Sequence, residues 1–215
     1  MMAILQLLQG FRRVSLLTGE LGEAGLTDRD VAASARLSAM MEILDQVKER
    51  GEKALVFVEF LSVQDALIPY LQRRYQMESP PLRISGSVAG HTRKAHVDKF
   101  QQGPPGQFDV MLLSPKAGGV GLTLTAANNV IHLSRWWNPA VEDQCTDRVY
   151  RIGQEKNVNV YYPLAVHPRH REASFDMNLH ALLERKRALS REVLTPAIAS
   201  NQDVRALFEK TVEKH

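Results

Sequence analysis

The chain has 215 residues, 44% hydrophobic and 24% charged, a size and composition that suit one sizeable soluble domain with an appendage. A net charge of +3 permits a nucleic-acid partner without demanding one, because where the charge lies matters more than its sum. The lone cysteine, Cys145, excludes a disulfide framework and a cysteine-based zinc site, and no apolar run approaches bilayer-spanning length.

Residues 2–17 place Ile4, Leu5, Leu8, Phe11 and Leu16 at helical spacing, and Arg12 and Arg13 come too early for a signal peptide. A soluble, intracellular protein is expected. Residues 18–30, rich in glycine and acids, read as a flexible connector. A helix follows over 31–50, with Leu37, Met40, Met41, Leu44 and Val47 on one side and Gly51 as its stop. The rhythm then changes. The continuous apolar run 54–60 predicts a strand buried on both faces. Ser62 is positioned to cap the next helix, which Pro69 should kink or shorten. Strands are expected over 82–85, 108–113, 130–133 and 158–165, a helix over 91–102 and a loop at 103–106. Such alternation indicates βαβ units and a parallel sheet covered on both faces. A long charged helix over 175–194 and a short one over 203–212 should pack back as a brace.

The informative stretch is 114–154. Three glycines in 117–121 directly follow a strand, with Ser114 and Lys116 at the mouth of the turn. Ligands of an open parallel sheet bind beyond the carboxyl ends of strands, and glycine lets backbone N–H groups approach a phosphate. A plain tight turn accounts for the glycines equally well. The GxxxxGK[ST] loop is excluded, because no Gly-Lys pair occurs. Beyond the strand 130–133 comes Trp136-Trp137-Asn138-Pro139, in which Asn138 is a good N-cap and Pro139 a good first helical residue. One tryptophan is expected in the core and the other at a surface, where Arg135 beside it suits a nucleic-acid contact. The helix from Pro139 is expected to reach about Ile152, with Gly153 just past its end. Val141, Cys145, Val149 and Ile152 would then be buried, with Gln144, Arg148 and Arg151 along one flank. That flank reads either as a solvated face or as two guanidinium forks for a transferring phosphoryl group.

Taken in order, these segments resemble the second RecA-like lobe of Snf2-family, superfamily 2 ATPases. KALVFVEFLSVQDAL (53–67) resembles motif IV, and RISGSVAGHTRKAHVDKFQ (83–101) resembles the segment that follows it. SPKAGGVGLTLTAANNVIHLSRWWNPA (114–140) resembles motif V, and DQCTDRVYRIGQ (143–154) resembles motif VI. The resemblance implies an α/β, RecA-like fold of the P-loop NTPase type, with a doubly wound, mainly parallel sheet. Residues 1–32 would be a connector helix and linker, 33–168 the lobe, and 169–215 the brace helices. By the same resemblance, Arg148 and Arg151 are arginine fingers, with Gln144, Gly119 and Gly121 at the nucleotide. Ser87, Arg93, Ser114, Lys116 and Trp137 would face double-stranded DNA, whose phosphates a translocase tracks without reading bases.

Departures from the family pattern fall at Pro115 and Thr123, usually Thr and Asn, at Ser134, commonly acidic, and at Asp147, often Gly or Ala. Neither a Walker A lysine nor a DExx acidic pair occurs, and no metal ligand is expected. ATP and Mg²⁺ would therefore be held mainly by a first lobe of the same polypeptide, leaving this chain inactive alone. A bacterial-type DNA translocase that displaces a protein is the implied whole, with no membrane partner. Its place would be cytoplasmic on the nucleoid, or nuclear in a eukaryote. Two other readings stay open. One is a binding module for nucleic acid or a partner, without catalysis. The other is a Rossmann-like domain, for which Glu59 is the one near acidic candidate and no GxGxxG precedes it.

Overall fold

The computed structural model describes residues 25–86, 88–115, 121–169, 171 and 174–194; the helices expected over 2–17 and 203–212 lie outside them. Where the connector is expected to continue, Thr27 instead opens a short helix, α1 (Asp28–Ala32). Its hydroxyl accepts from the Asp30 N–H at 3.3 Å, and the Asp30 carboxylate accepts from the Thr27 N–H at 3.0 Å, a reciprocal capping box. Ser34 then starts α2 (Ala35–Glu49), so the one helix expected over 31–50 is two. All five predicted apolar positions of α2 are buried.

Gly51 follows α2 with φ +60°, a left-handed conformation that side chains disfavour. A Cβ there would also strike the Gly106 carbonyl. Gly51→Ala is expected to cost about 2 kcal/mol of stability, read as a lower urea midpoint at unchanged m-value.

Strands β1 (Lys53–Phe57), β2 (Leu82–Ile84), β3 (Asp109–Leu113), β4 (Asn129–His132) and β5 (Asn159–Tyr161) form a sheet in the order β2-β3-β1-β4-β5. Every pairing is parallel. The expected α/β doubly wound, mainly parallel architecture is present. Because side chains alternate along a strand, the sheet has two cores. Ala54, Val56, Val110, Leu112 and Ile131 pack with α2 and with α3 (Leu61–Tyr75). Leu55, Phe57, Met111, Leu113 and Val130 face the other way, onto Phe100 of α4 (Gly90–Gln102) and Cys145 of α5 (Pro139–Thr146).

α3 departs from expectation at its cap and in its length. Phe60 occupies its N-cap without a side-chain cap bond, so Ser62 is not the cap. Pro69 does not shorten it either: Tyr70, Leu71 and Tyr75, all beyond the proline, are buried in the first core, and that packing outweighs one lost backbone bond. β5 keeps only residues 159–161 of the 158–165 expected, as an edge strand paired on one side. The charged helix α6 (Phe175–Leu194) has the predicted span. Arg36 of α2 forms a buried ion pair with Asp176 at its start. Among the described residues, no helix is long and apolar enough to cross a membrane.

Candidate functional site

The carboxyl ends of β1, β3 and β4 lead to Glu59, Ser114 and the tryptophan pair, on the edge where open parallel sheets bind ligands. Ser114 is buried there, and its hydroxyl accepts a bond from Gln64 Nε2 at 3.0 Å, so that side chain makes an internal contact. Trp137 is 53% exposed, as expected of one member of the pair, while Trp136, expected in the core, is only half-buried. Lys186 of α6 lies 5.4 Å from the Trp137 ring centre. Arg135 is not a surface group as expected. It is 4% exposed and gives Nε and Nη2 to the Glu142 carboxylate at 2.9 and 3.2 Å, with Tyr162 stacked on its guanidinium at 4.2 Å.

Asn138 caps α5 through the Ala140 N–H at 3.1 Å, and Pro139 is its first residue, as predicted. The helix does not continue to Ile152. It ends at Thr146, and the arginines stand on an irregular turn over 147–153. The hydrogen bonds change where the helix ends: the Arg148 and Val149 N–H groups go to the Cys145 and Thr146 carbonyls, three residues back, at 3.4 and 3.0 Å, and beyond them the Leu124 N–H takes the Arg148 oxygen at 3.0 Å. Consequently Ile152, expected in the buried stripe, is fully exposed, while Cys145 and Val149 are buried as expected. Burial pushes the Cys145 thiol up to about 12, which makes it a core residue and not a nucleophile.

The turn separates its two arginines. Arg148 is 3% exposed beside Cys145, and burial lowers its pKa. Arg151 is exposed and lies over the end of the glycine segment. Its Nη1 donates to the Gly121 and Leu122 carbonyls at 3.4 and 3.5 Å and to the Thr123 hydroxyl at 3.1 Å. Thr123, a departure from the family pattern, is thus a partner of Arg151. Gln144 is exposed on α5. The 121–123 segment also borders a groove of about 560 Å³, lined by Gly90, Arg93, Lys94 and Val97 of α4 together with Gly121 and Thr123. Arg93 is half-buried there and donates to the Val88 carbonyl at 3.1 Å. Ser87, Lys116 and Gly119 lie outside the described residues.

Two further groups support this turn: Gln154, the last residue of the 143–154 segment, and Glu142, which carries no signal in the sequence. Gln154 spends its amide on the Thr125 and Ala127 carbonyls at 3.1 and 2.7 Å, fixing the turn's far end. Glu142, 1% exposed, collects Arg135, the Trp136 N–H at 2.8 Å and Arg187 Nη2 of α6 at 2.7 Å. Burial works to raise the Glu142 pKa, but the bond from Arg135 and its charge outweigh it, and the carboxyl lies below its ordinary value. In sequence Glu142 is only an acid in a helix first turn, a feature that many solvated helices share.

Residues 35–153 match the helicase conserved C-terminal domain. A solved structure of the C-terminal part of the Fun30 ATPase domain superposes with a TM-score of 0.61 at 30% identity, covering 74% of this chain and 48% of that one. The Sulfolobus solfataricus SWI2/SNF2 ATPase core domain gives 0.58 at 30% identity, covering 77% and 31%. The chain belongs to the helicase C-terminal domain family, on its Snf2 branch. The DNA repair protein RAD5A of Arabidopsis thaliana is 34% identical over 134 residues, which are 62% of this chain and 12% of RAD5A. The matched curated relatives are far longer than this chain, which spans 9 to 16% of their length. In this lobe the 121–123 segment and the 147–154 turn are in direct contact, through Arg151.

Proposed function

We propose that this lobe is the second half of a Snf2-type, DNA-dependent ATPase that translocates on duplex DNA. The observation that carries the reading is Arg151: an exposed guanidinium on a turn fixed at both ends, resting on the glycine segment by one nitrogen. Such a group suits the charge that develops on a transferring phosphoryl group. Arg148, buried behind it, adds positive potential at the same place. Gln144, Gly121 and Gly119 belong to the nucleotide edge in this reading. ATP and Mg²⁺ are carried mainly by a first lobe of the same polypeptide, and ATP supplies the bond that is cleaved. Trp137 and Arg93 belong to the duplex-facing side in this reading, with Ser87 and Lys116 assigned to it by resemblance, whereas Ser114 is buried against Gln64 and supports it from inside. The names of the relatives, an ATPase core and a DNA repair protein among them, support this assignment. In this reading residues 1–32 connect the two lobes and 169–215 brace them.

The test is to join the chain to a Snf2 first lobe. DNA-stimulated ATP turnover is expected from the joined protein and not from the chain alone; a joined, folded protein without turnover would refute catalysis. The chain alone is expected to bind duplex DNA weakly, with affinity falling at least tenfold between about 50 and about 200 mM salt. Titration by fluorescence anisotropy checks this, and salt-insensitive binding would exclude phosphate contacts.

A further inference from the structure

We infer that α6 is a positioning element for the arginine turn, acting through Arg187 on Glu142 and Asp143. The functional consequence rests on the reading of Arg151 given above; the geometry does not.

Arg187 sits in the middle of α6 at 7% exposure. It donates Nη2 to Glu142 at 2.7 Å and Nε to Asp143 at 2.8 Å, and it pairs with Glu184 on its own helix. Burial opposes its charge, but the bond to Glu142 outweighs that and raises its pKa. Glu142 is therefore held between two guanidiniums from separate segments, Arg135 after β4 and Arg187 of α6. The same two acidic residues carry the end of α5 on their backbones. The Glu142 carbonyl accepts from Thr146 Oγ1 at 3.2 Å, and the Asp143 carbonyl accepts the Asp147 N–H at 2.9 Å. One step on, the Thr146 carbonyl accepts the Tyr150 N–H at 3.2 Å. A short chain of bonds thus runs from Arg187 to the residue before Arg151.

The other end of α6 is tied just as firmly. Asp176 pairs with Arg36 of α2 and also accepts the Ala165 N–H at 2.7 Å. The apolar side of α6 is thin by comparison: Leu179 and Leu183 are buried, whereas Leu182 and Leu189 are exposed. An apolar stripe tolerates sliding, but a guanidinium shared between two carboxylates fits one placement. So α6 is held in register by charge, and its register sets the end of α5 from which the arginine turn departs. Gln154 fixes the opposite end of that turn to the 125–127 backbone, which leaves the α5 end as the one α6 governs.

Hydrogen exchange of the 215-residue chain tests this. In Arg187→Ala, amides of 147–154 are expected to exchange about tenfold faster or more, while those of β1 and β3 stay unchanged. Arg187→Lys should recover part of the protection, and Arg185→Ala, an exposed neighbour on the same helix, should change nothing. Trp136, one of the two tryptophans of the chain, gives its backbone N–H to Glu142, so tryptophan emission should shift only in the Arg187 variants. Should Arg187→Ala fail to fold, Asp143→Asn, which removes a half-exposed partner, is expected to give a smaller acceleration at the same amides. Equal acceleration throughout the sheet, or none at 147–154, overturns the inference. In the joined two-lobe protein, Arg187→Ala should lower kcat with little change in KM. A loosened turn with kcat intact would uphold the positioning role and refute the reading of Arg151.

Discussion

Arg151→Ala in the two-lobe protein is expected to lower DNA-stimulated ATP turnover by about 10³-fold, with DNA affinity within a few-fold of the parent. The size of the effect follows from its position. Arg151 is exposed, and all three of its contacts are made by Nη1, two of them at 3.4 and 3.5 Å to carbonyls. Contacts of that length are weak, so little is lost when the side chain turns to a phosphate. The backbone that carries it is not so free: the Arg151 carbonyl accepts the Gln154 N–H at 2.9 Å, and Gln154 is itself bound to the 125–127 strip. A guanidinium on a fixed backbone loses little entropy when it meets a developing charge. Arg148, 3% exposed, is not placed to substitute for it. Because Arg151 is a surface residue, its removal should leave the urea midpoint of the chain nearly unchanged. Steady-state turnover and anisotropy on one preparation decide the matter. Turnover retained within tenfold would refute the assignment, and a parallel loss of DNA binding would place Arg151 on the wrong surface.

Glu142→Ala is expected to destabilise the chain by about 3–5 kcal/mol, the largest stability effect among the charged residues of this lobe discussed so far. Alanine would strip Arg135 of the carboxylate that takes both Nε and Nη2, leaving it the His180 ring nitrogen at 2.9 Å and the Tyr162 ring. Arg187 would keep Asp143 and Glu184 but lose its most buried partner. By contrast, Arg74→Ala, which breaks the exposed pair with Asp45, should cost about 0–1 kcal/mol. Urea unfolding at neutral pH compares the two, and a Glu142 effect no larger than that of Arg74 would contradict the ion cluster. The same cluster sets a pH dependence. The folded pKa of Glu142 lies below its usual 4.5, so its contribution is complete above that value and is lost as pH falls through the folded pKa. His132, stacked between Phe57 and Tyr162, is depressed by burial to about 4 from 6.5. The unfolded chain then takes up that proton first, so stability should begin to fall below about pH 6.5 and keep falling to about pH 4. Glu142→Ala should lose only its own share of that acid limb.

The order of motifs, the parallel sheet covered on both faces, the start of α5 at Asn138 and the span of α6 are all legible in the amino-acid sequence alone. Each rests on a local pattern: the apolar run over 54–57, helical spacing over 37–47, or an Asn-Pro helix start. Such patterns survive folding because tertiary contacts reinforce them. Where the sequence misleads, a distant group intervenes. α5 ends six residues before Ile152, and the Leu124 N–H holds the Arg148 carbonyl on the turn beyond it, something no spacing rule contains. Core packing beyond Pro69 keeps α3 whole. Arg135, which reads as a surface cation, is drawn inward together with Arg187 by one acid that looks ordinary in sequence.

The family and the doubly wound sheet are readable from residue order alone, since residue type and short-range order suffice for these, and the same reading singles out Arg148 and Arg151 as the candidates of this lobe. Only the tertiary structure decided that those arginines stand on a turn and not a helix, that Arg151 is outside and Arg148 inside, and that a charge cluster from α6 holds the turn's base. These last depend on partners 24 to 45 residues apart, from Leu124 and Arg148 to Glu142 and Arg187, whose meeting is fixed by the sheet order and not by any local periodicity.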